Sequence, residues 1–182
     1  MNNSILAKSS ASYVYITMIV DSDALIKAFP NPSQLQLNPT LVNDTKYFYF
    51  VATDANTITG TGTGDLVIKA TVGDGIRWTG VSETNNFDNS VMVYGIVHFS
   101  GDKILKTPSF TAYTKGSAVP HDDETPFPAI INDQYFWFME STIKSKGSEK
   151  YLIRFAIYNR PQNGNQTLFG YFQWDPSVTV TH

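Results

Sequence analysis

The feature that most constrains this chain is a two-residue apolar alternation, broken at intervals by turn-forming residues. In LVIKATV, Leu66, Ile68, Ala70 and Val72 share one face while Val67, Lys69 and Thr71 share the other. After Gly73-Asp74-Gly75 the pattern resumes at Ile76 and Trp78, which is a strand, turn, strand signal. Further strands read at Tyr13 to Val20, Tyr47 to Ala52, Val91 to Phe99, Tyr135 to Met139, Tyr151 to Tyr158 and Leu168 to Trp174. Ser100-Gly101-Asp102, Lys146-Gly147-Ser148 and Asn163-Gly164 supply residues that tolerate turn geometry.

One segment reads as helix. In DSDALIKAFP, Asp21 or Ser22 can cap, Asp23 suits the positive first turn, Leu25 and Phe29 lie four apart, and Pro30 ends the element. Many short strands with almost no helix predict an all-β fold, an antiparallel β-sandwich of Ig-like or jelly-roll-like type with one short helix. The chain of 182 residues reads as a single domain over 1–182, with residues 1–12 a flexible N-terminal arm. Pro30 to Asp44 and Thr114 to Pro128 read as the long surface connections.

Composition narrows the chemistry. The absence of Cys removes disulfides, thiolate catalysis, iron-sulfur clusters and Cys-ligated zinc or blue copper, although LVIKATVGDGIRWTG is similar to a strand pair found in cupredoxins. A net charge of -3 without a Lys/Arg run argues against nucleic acid as a partner. The N-terminus lacks the h-region and cleavage pattern of a Sec signal peptide, and Tyr13 to Val20 is too short for a membrane span, so a cytoplasmic protein is expected. Charged residues are 16% of the chain, below the roughly 25% of ordinary domains, and aromatics reach 14%. A surface poor in charge favours self-association.

Several strands carry large apolar residues on both faces, whereas a two-layer sandwich buries one. Tyr135, Phe136, Trp137 and Phe138, with Tyr151 and Tyr158, are therefore candidates for a self-association surface; covering loops are the alternative.

Few residues offer catalytic handles. The histidines are His98, His121 and His182, and no HExxH, GxSxG or P-loop pattern occurs. His98 reads as a half-buried structural residue, His182 as a frayed terminus, and His121-Asp122-Asp123-Glu124 as a solvated loop. Asp21 and Asp23 read as capping groups. The oxygen-rich stretch SETNNFDNSVMVYG places Glu83, Asn85, Asn86, Asp88 and Asn89 in one loop. It reads either as a polar turn or as a site for calcium or a saccharide, with Phe87 or Trp78 as the aromatic plate.

IVDSDALIKAFPNPSQ, GTGTGDLVIKATVGDGIRWTG, DNSVMVYGI and LFGYFQWDPSVTV, in that order from about Val20 to Val180, resemble the PixA/AidA inclusion-body protein family of Gram-negative bacteria. The resemblance implies a small cytoplasmic protein made in quantity late in growth under quorum or growth-phase control, accumulating in some members as crystalline inclusions, and associated with host interaction. It carries no catalytic residues or cofactor to transfer. The founding protein is methionine-rich, whereas this chain has four Met. The expected function is thus a non-enzymatic, self-associating homo-oligomer that forms inclusions or meets a host surface. The alternative is a carbohydrate-binding, lectin-like module, calcium-assisted, with a glycan as its ligand.

Overall fold

A computed structural model describes residues 12–161, 164–175 and 177–181, the last segment by its backbone alone. The expectations for residues 1–11, Asn163 and His182 fall outside the described residues.

The alternating segments form strands and build two sheets. The first, five-stranded, has the order β3 (Phe48–Val51), β1 (Tyr13–Val20), β6 (Gly75–Ser82), β9 (Ile130–Thr142), β8 (Ser109–Val119). The second, seven-stranded, runs β2 (Thr40–Leu41), β11 (Thr167–Trp174), β10 (Gly147–Asn159), β12 (Ser177–Thr181), β5 (Leu66–Lys69), β4 (Thr57–Thr59). β7 (Ser90–Gly101) lines the other edge of β10. This is the all-β sandwich that the alternation predicts. Most pairs are antiparallel, but β1 with β6, β11 with β2 and β12 with β5 are parallel.

The inward residues of both sheets make the core. Val14, Ile16, Met18 and Val20 from β1, with Ile76 and Trp78 from β6, face Tyr151, Ile153 and Phe155 from β10 and Phe172 and Trp174 from β11. Phe48 stacks on Trp174 with centroids 4.2 Å apart. Each such side chain contributes about 1.5–3 kcal/mol by leaving water. Gly80 lets the sheets approach at β6, since a Cβ there would sit 2.9 Å from Val91 Cγ1 and Val93 Cγ2.

The Gly73-Asp74-Gly75 turn carries the chain from one sheet to the other rather than closing a hairpin. Gly73 takes a φ of +100°, and Asp74 Oδ2 accepts the Thr71 N–H at 2.8 Å. The helix α1 (Ser22–Ala28) starts where expected: Asp21 caps it, Oδ1 accepting the Ala24 N–H at 3.0 Å.

Two expectations are corrected. The stretch from Thr114 is no loop as far as Val119, because β8 runs through it and pairs with β9 from Ser109↔Glu140 to Val119↔Ile130. This ribbon stands largely in solvent, so no burial imposes alternation on SFTAYTKGSAV. Tyr151, expected at a subunit interface, is fully buried: β10 is inward-facing there, and the Trp78 Nε1–H donates to its hydroxyl at 3.0 Å.

Candidate functional site

β9 is the pivot of the site. Its pairing with β6 covers Gly75↔Thr142 to Trp78↔Met139 and then stops, while both strands continue. Beyond Met139, toward its start at Ile130, β9 is held by β8 alone, and the two form an arm that leaves the sandwich. The apolar residues of this arm are displayed: Ile131 is 69% exposed, Tyr135 62% and Phe110 53%, with Phe127 in the tip loop 79%. An isolated two-stranded ribbon is marginal in water, and large exposed apolar patches mark contact surfaces.

Where β6 and β9 part, they leave a groove of about 220 Å³ lined by Thr79, Gly80 and Val81 on one wall and Tyr135, Phe136, Trp137 and Phe138 on the other. Asn86 closes one end. A neighbouring hollow of about 440 Å³ shares Asn86 and Trp137 and adds Ser90, Met92, Tyr158 and Gln166. Trp137 Nε1 is buried there and is the one buried side-chain nitrogen or oxygen without a hydrogen-bond partner among the described residues. The fold thus brings the aromatic stretch of β9, Tyr158 and Asn86 of the polar loop together, which their separation in sequence does not suggest.

The polar loop itself is tied inward. Glu83 accepts the Ser22 N–H at 2.7 Å and the Asp23 N–H at 3.2 Å, with both oxygens also meeting Ser22 Oγ. Burial works against its ionisation, but these donors outweigh burial and hold its carboxyl below the usual range. Asn89 Nδ2 donates to Ser22 Oγ and Asp23 Oδ1 at 3.0 and 2.8 Å. Asn85 and Asn86 adopt left-handed backbone, with φ of 55° and 60°, and Asn86 Oδ1 accepts the N–H groups of Ser82 and Val91, both at 3.0 Å. The carbonyls of Asn86, Phe87 and Asp88 converge on Gln166 Nε2 at 3.2, 3.4 and 3.1 Å, and Arg160 donates twice to Phe87 O. Protein N–H groups thus engage Glu83, the Asn86 side chain and the loop's carbonyls, while Asn85 and Asp88 are exposed.

On the outer face of the first sheet, Arg77 sits within a ring of aromatics. It pairs with Glu140 and donates to Tyr15 Oη at 2.7 Å and Tyr113 Oη at 2.9 Å. Its guanidinium lies 4.0 Å from the Tyr13 ring centroid and 5.2 Å from that of Phe138. Tyr15, Arg77, Tyr113, Lys115, Phe136 and Phe138 line a hollow of about 320 Å³.

The remaining candidates stay apart. His98 is half-buried, its Nδ1 at 3.0 Å from Glu149, whose other oxygen accepts the N–H groups of Ile104 and Leu105. In the arm's tip loop, Asp122 accepts from Glu124 N–H, Thr125 N–H and Thr125 Oγ–H and contacts His121; these bonds, the Thr125 hydroxyl first, hold it far below the ordinary carboxyl range. Among the described residues no three His, Cys, Asp or Glu gather as a metal site, and no helix is long and apolar enough to cross a membrane. Arg77, Arg160, Gln166 and the Thr79–Val81 wall escaped the sequence reading. Arg77 takes the outward position of IRW, where a charged residue is ordinary in an alternating strand, and the parting of β6 from β9 has no sequence signature either.

Fold and site define an all-β sandwich that displays an aromatic hairpin. A profile of the PixA family, described as inclusion body protein, matches residues 12–180, and the chain belongs to that family. It is similar over the full length of both chains, with 29% identity and a TM-score of 0.81, to the crystal structure of an inclusion body protein (PixA) from Burkholderia cenocepacia J2315. No curated protein matches.

Proposed function

We propose that this protein is a non-enzymatic inclusion protein that self-associates through its aromatic arm, accumulates in the cytoplasm under growth-phase or quorum control, and meets a host from that store. Family membership supports the inclusion role. The observation that carries the self-association is the β8–β9 arm, a ribbon of mixed composition that leaves Phe110, Ile131, Tyr135 and Phe136 exposed. Burying them against another molecule would contribute roughly 25 cal/mol per Å², and closed homo-oligomers are the common outcome when one surface is self-complementary. Light scattering behind size exclusion, across a concentration series, tests it. The protein should elute as an oligomer, and Ile131→Lys with Tyr135→Lys should shift it to monomer. A protein that stays monomeric at high concentration overturns this reading.

A second reading, a saccharide-binding module, is favoured by the Arg77 hollow rather than by the polar loop. Aromatic rings beside a fork of planar donors suit the apolar face and hydroxyls of a sugar. A glycan array answered by the protein, and lost with Tyr15→Ala, would support it; a blank array would remove it.

A further inference from the structure

We infer that a hollow at the far end of β9 from the tip loop binds a phosphomonoester, with Lys103, Lys106 and Lys144 taking the phosphate and an apolar wall taking the group it is esterified to. The site is separate from the surface assigned to self-association and does not rest on that reading.

Two connections build it. Residues 102–108, between β7 and β8, run along residues 142–146, at the end of β9 and the turn into β10. The Lys144 N–H donates to Ile104 O at 2.8 Å, the Lys106 N–H donates to Thr142 O at 2.9 Å, and Leu105 bridges to Ile143. Glu149 fastens this pairing. Its side chain is 5% exposed; one carboxylate oxygen accepts the N–H groups of Ile104 and Leu105 at 2.8 and 3.0 Å, and the other lies 3.0 Å from His98 Nδ1. The buried acid thus fixes the loop that carries Lys103 and Lys106, and the hollow is a built feature of the fold.

The charges gathered here are lopsided. Residues 102–108 and 143–150 carry five of the chain's thirteen Lys and Arg but two of its sixteen acids. Those acids are Asp102 and Glu149, and both carboxylates are taken by main-chain N–H groups, Asp102 by that of Ser148 at 3.3 Å. Lys103, Lys106 and Lys144 form no ion pair among the described residues. In a chain with few charges and a net of -3, three unpaired ammonium groups around one hollow make a local positive potential that draws an anion. A Lys ammonium meets phosphate oxygens as a point charge, and a phosphomonoester near pH 7 brings close to two negative charges and three acceptor oxygens.

The lining decides what carries the phosphate. The hollow is about 320 Å³, and besides the lysines and His98 it is lined by Ile96, Leu105 and Pro108. That is within the size range of small-molecule pockets, which combine an apolar lining with a few placed polar groups. Inorganic phosphate leaves the apolar wall unused, whereas an ester with a hydrocarbon or ring-bearing body uses both parts.

Calorimetric titration of the full-length protein with phenyl phosphate at low salt tests this. Binding should saturate at one site per chain and be about tenfold tighter than for inorganic phosphate, because burial of the ring adds to the charge. Lys106→Ala and Lys144→Ala should each weaken it about tenfold, whereas Lys69→Ala, an exposed lysine of β5, should leave it unchanged. Vesicles of phosphatidylcholine containing phosphatidic acid distinguish the source of the ester. Cosedimentation that Lys106→Ala abolishes assigns it to a lipid headgroup, and phenyl phosphate binding without cosedimentation assigns it to a soluble compound. Absence of both overturns the site, as does phenyl phosphate binding that is no tighter than that of inorganic phosphate or is unchanged in the two lysine variants.

Discussion

The indole N–H of Trp78 donates to the Tyr151 hydroxyl at 3.0 Å, joining the two sheets through the middle of the core. Both residues are buried, and burial raises the phenol's pKa above the ordinary range. Tyr151→Phe leaves the shape of the core nearly unchanged but strands a buried donor, which costs about 1–3 kcal/mol. Urea denaturation should show this as a lower midpoint with an unchanged slope. Light scattering should show the oligomer unaffected, because Tyr151 reaches no surface; a change of assembly state would return it to the interface.

How much of this was legible depends on burial. β1, from Tyr13 to Val20, is read to the residue because one face is fully buried and the period of two is therefore enforced. α1 is equally clear, since its cap and its closing proline are local chemistry. β8 is invisible because nothing buries it. In β7, register shifts opposite Lys150/Tyr151 and Arg154/Phe155 reset the inward parity, so Val91 and Val93 point inward and then Ile96 does. A fixed alternation through VMVYGIVHF therefore misplaces part of the strand. The site was half legible: composition shows surplus aromatics and a polar loop, but that the loop's oxygens turn back onto α1, Arg160 and Gln166 depends on contacts between residues more than sixty positions apart.

Arg77 and Glu140 form the largely buried ion pair of the outer sheet face, with side chains 14% and 17% exposed. Arg77→Ala would leave Glu140 without its cation and remove the centre of the aromatic ring, costing about 3 kcal/mol. Arg77→Lys keeps the charge but loses the fork that reaches Tyr15 and Tyr113 together, and should recover only part of the loss. Chemical denaturation of the two variants checks the order; equal stability of Lys and wild type would show that the fork is not used.

The polar loop should be indifferent to calcium. Its carbonyls already bond Gln166 and Arg160, so neither calcium nor a chelator should move the thermal midpoint. Gln166→Ala removes the donor shared by three carbonyls and should cost about 1 kcal/mol, lowering the midpoint by a few degrees. If calcium instead raises the midpoint of the wild type, the loop binds the ion and the amide and guanidinium are displaced by it.

Glu83 makes stability depend on acid. Its carboxylate caps α1 through Ser22 and Asp23, and its pKa in the folded protein lies below the ordinary carboxyl range. A carboxyl whose pKa is depressed by folding stabilises the protein above its unfolded pKa, and that contribution is lost as pH falls through the folded value. Glu83→Gln should therefore cost about 1 kcal/mol near neutrality, a magnitude limited by the loop's access to solvent. Denaturation midpoints of the variant and the wild type, measured from neutral pH downward, should stay apart above the ordinary glutamate pKa of about 4.3 and converge only as pH falls through the lower folded value. A gap that persists at the lowest pH would mean that Glu83 acts through its shape and not its charge, leaving Asp21 as the charged cap of α1.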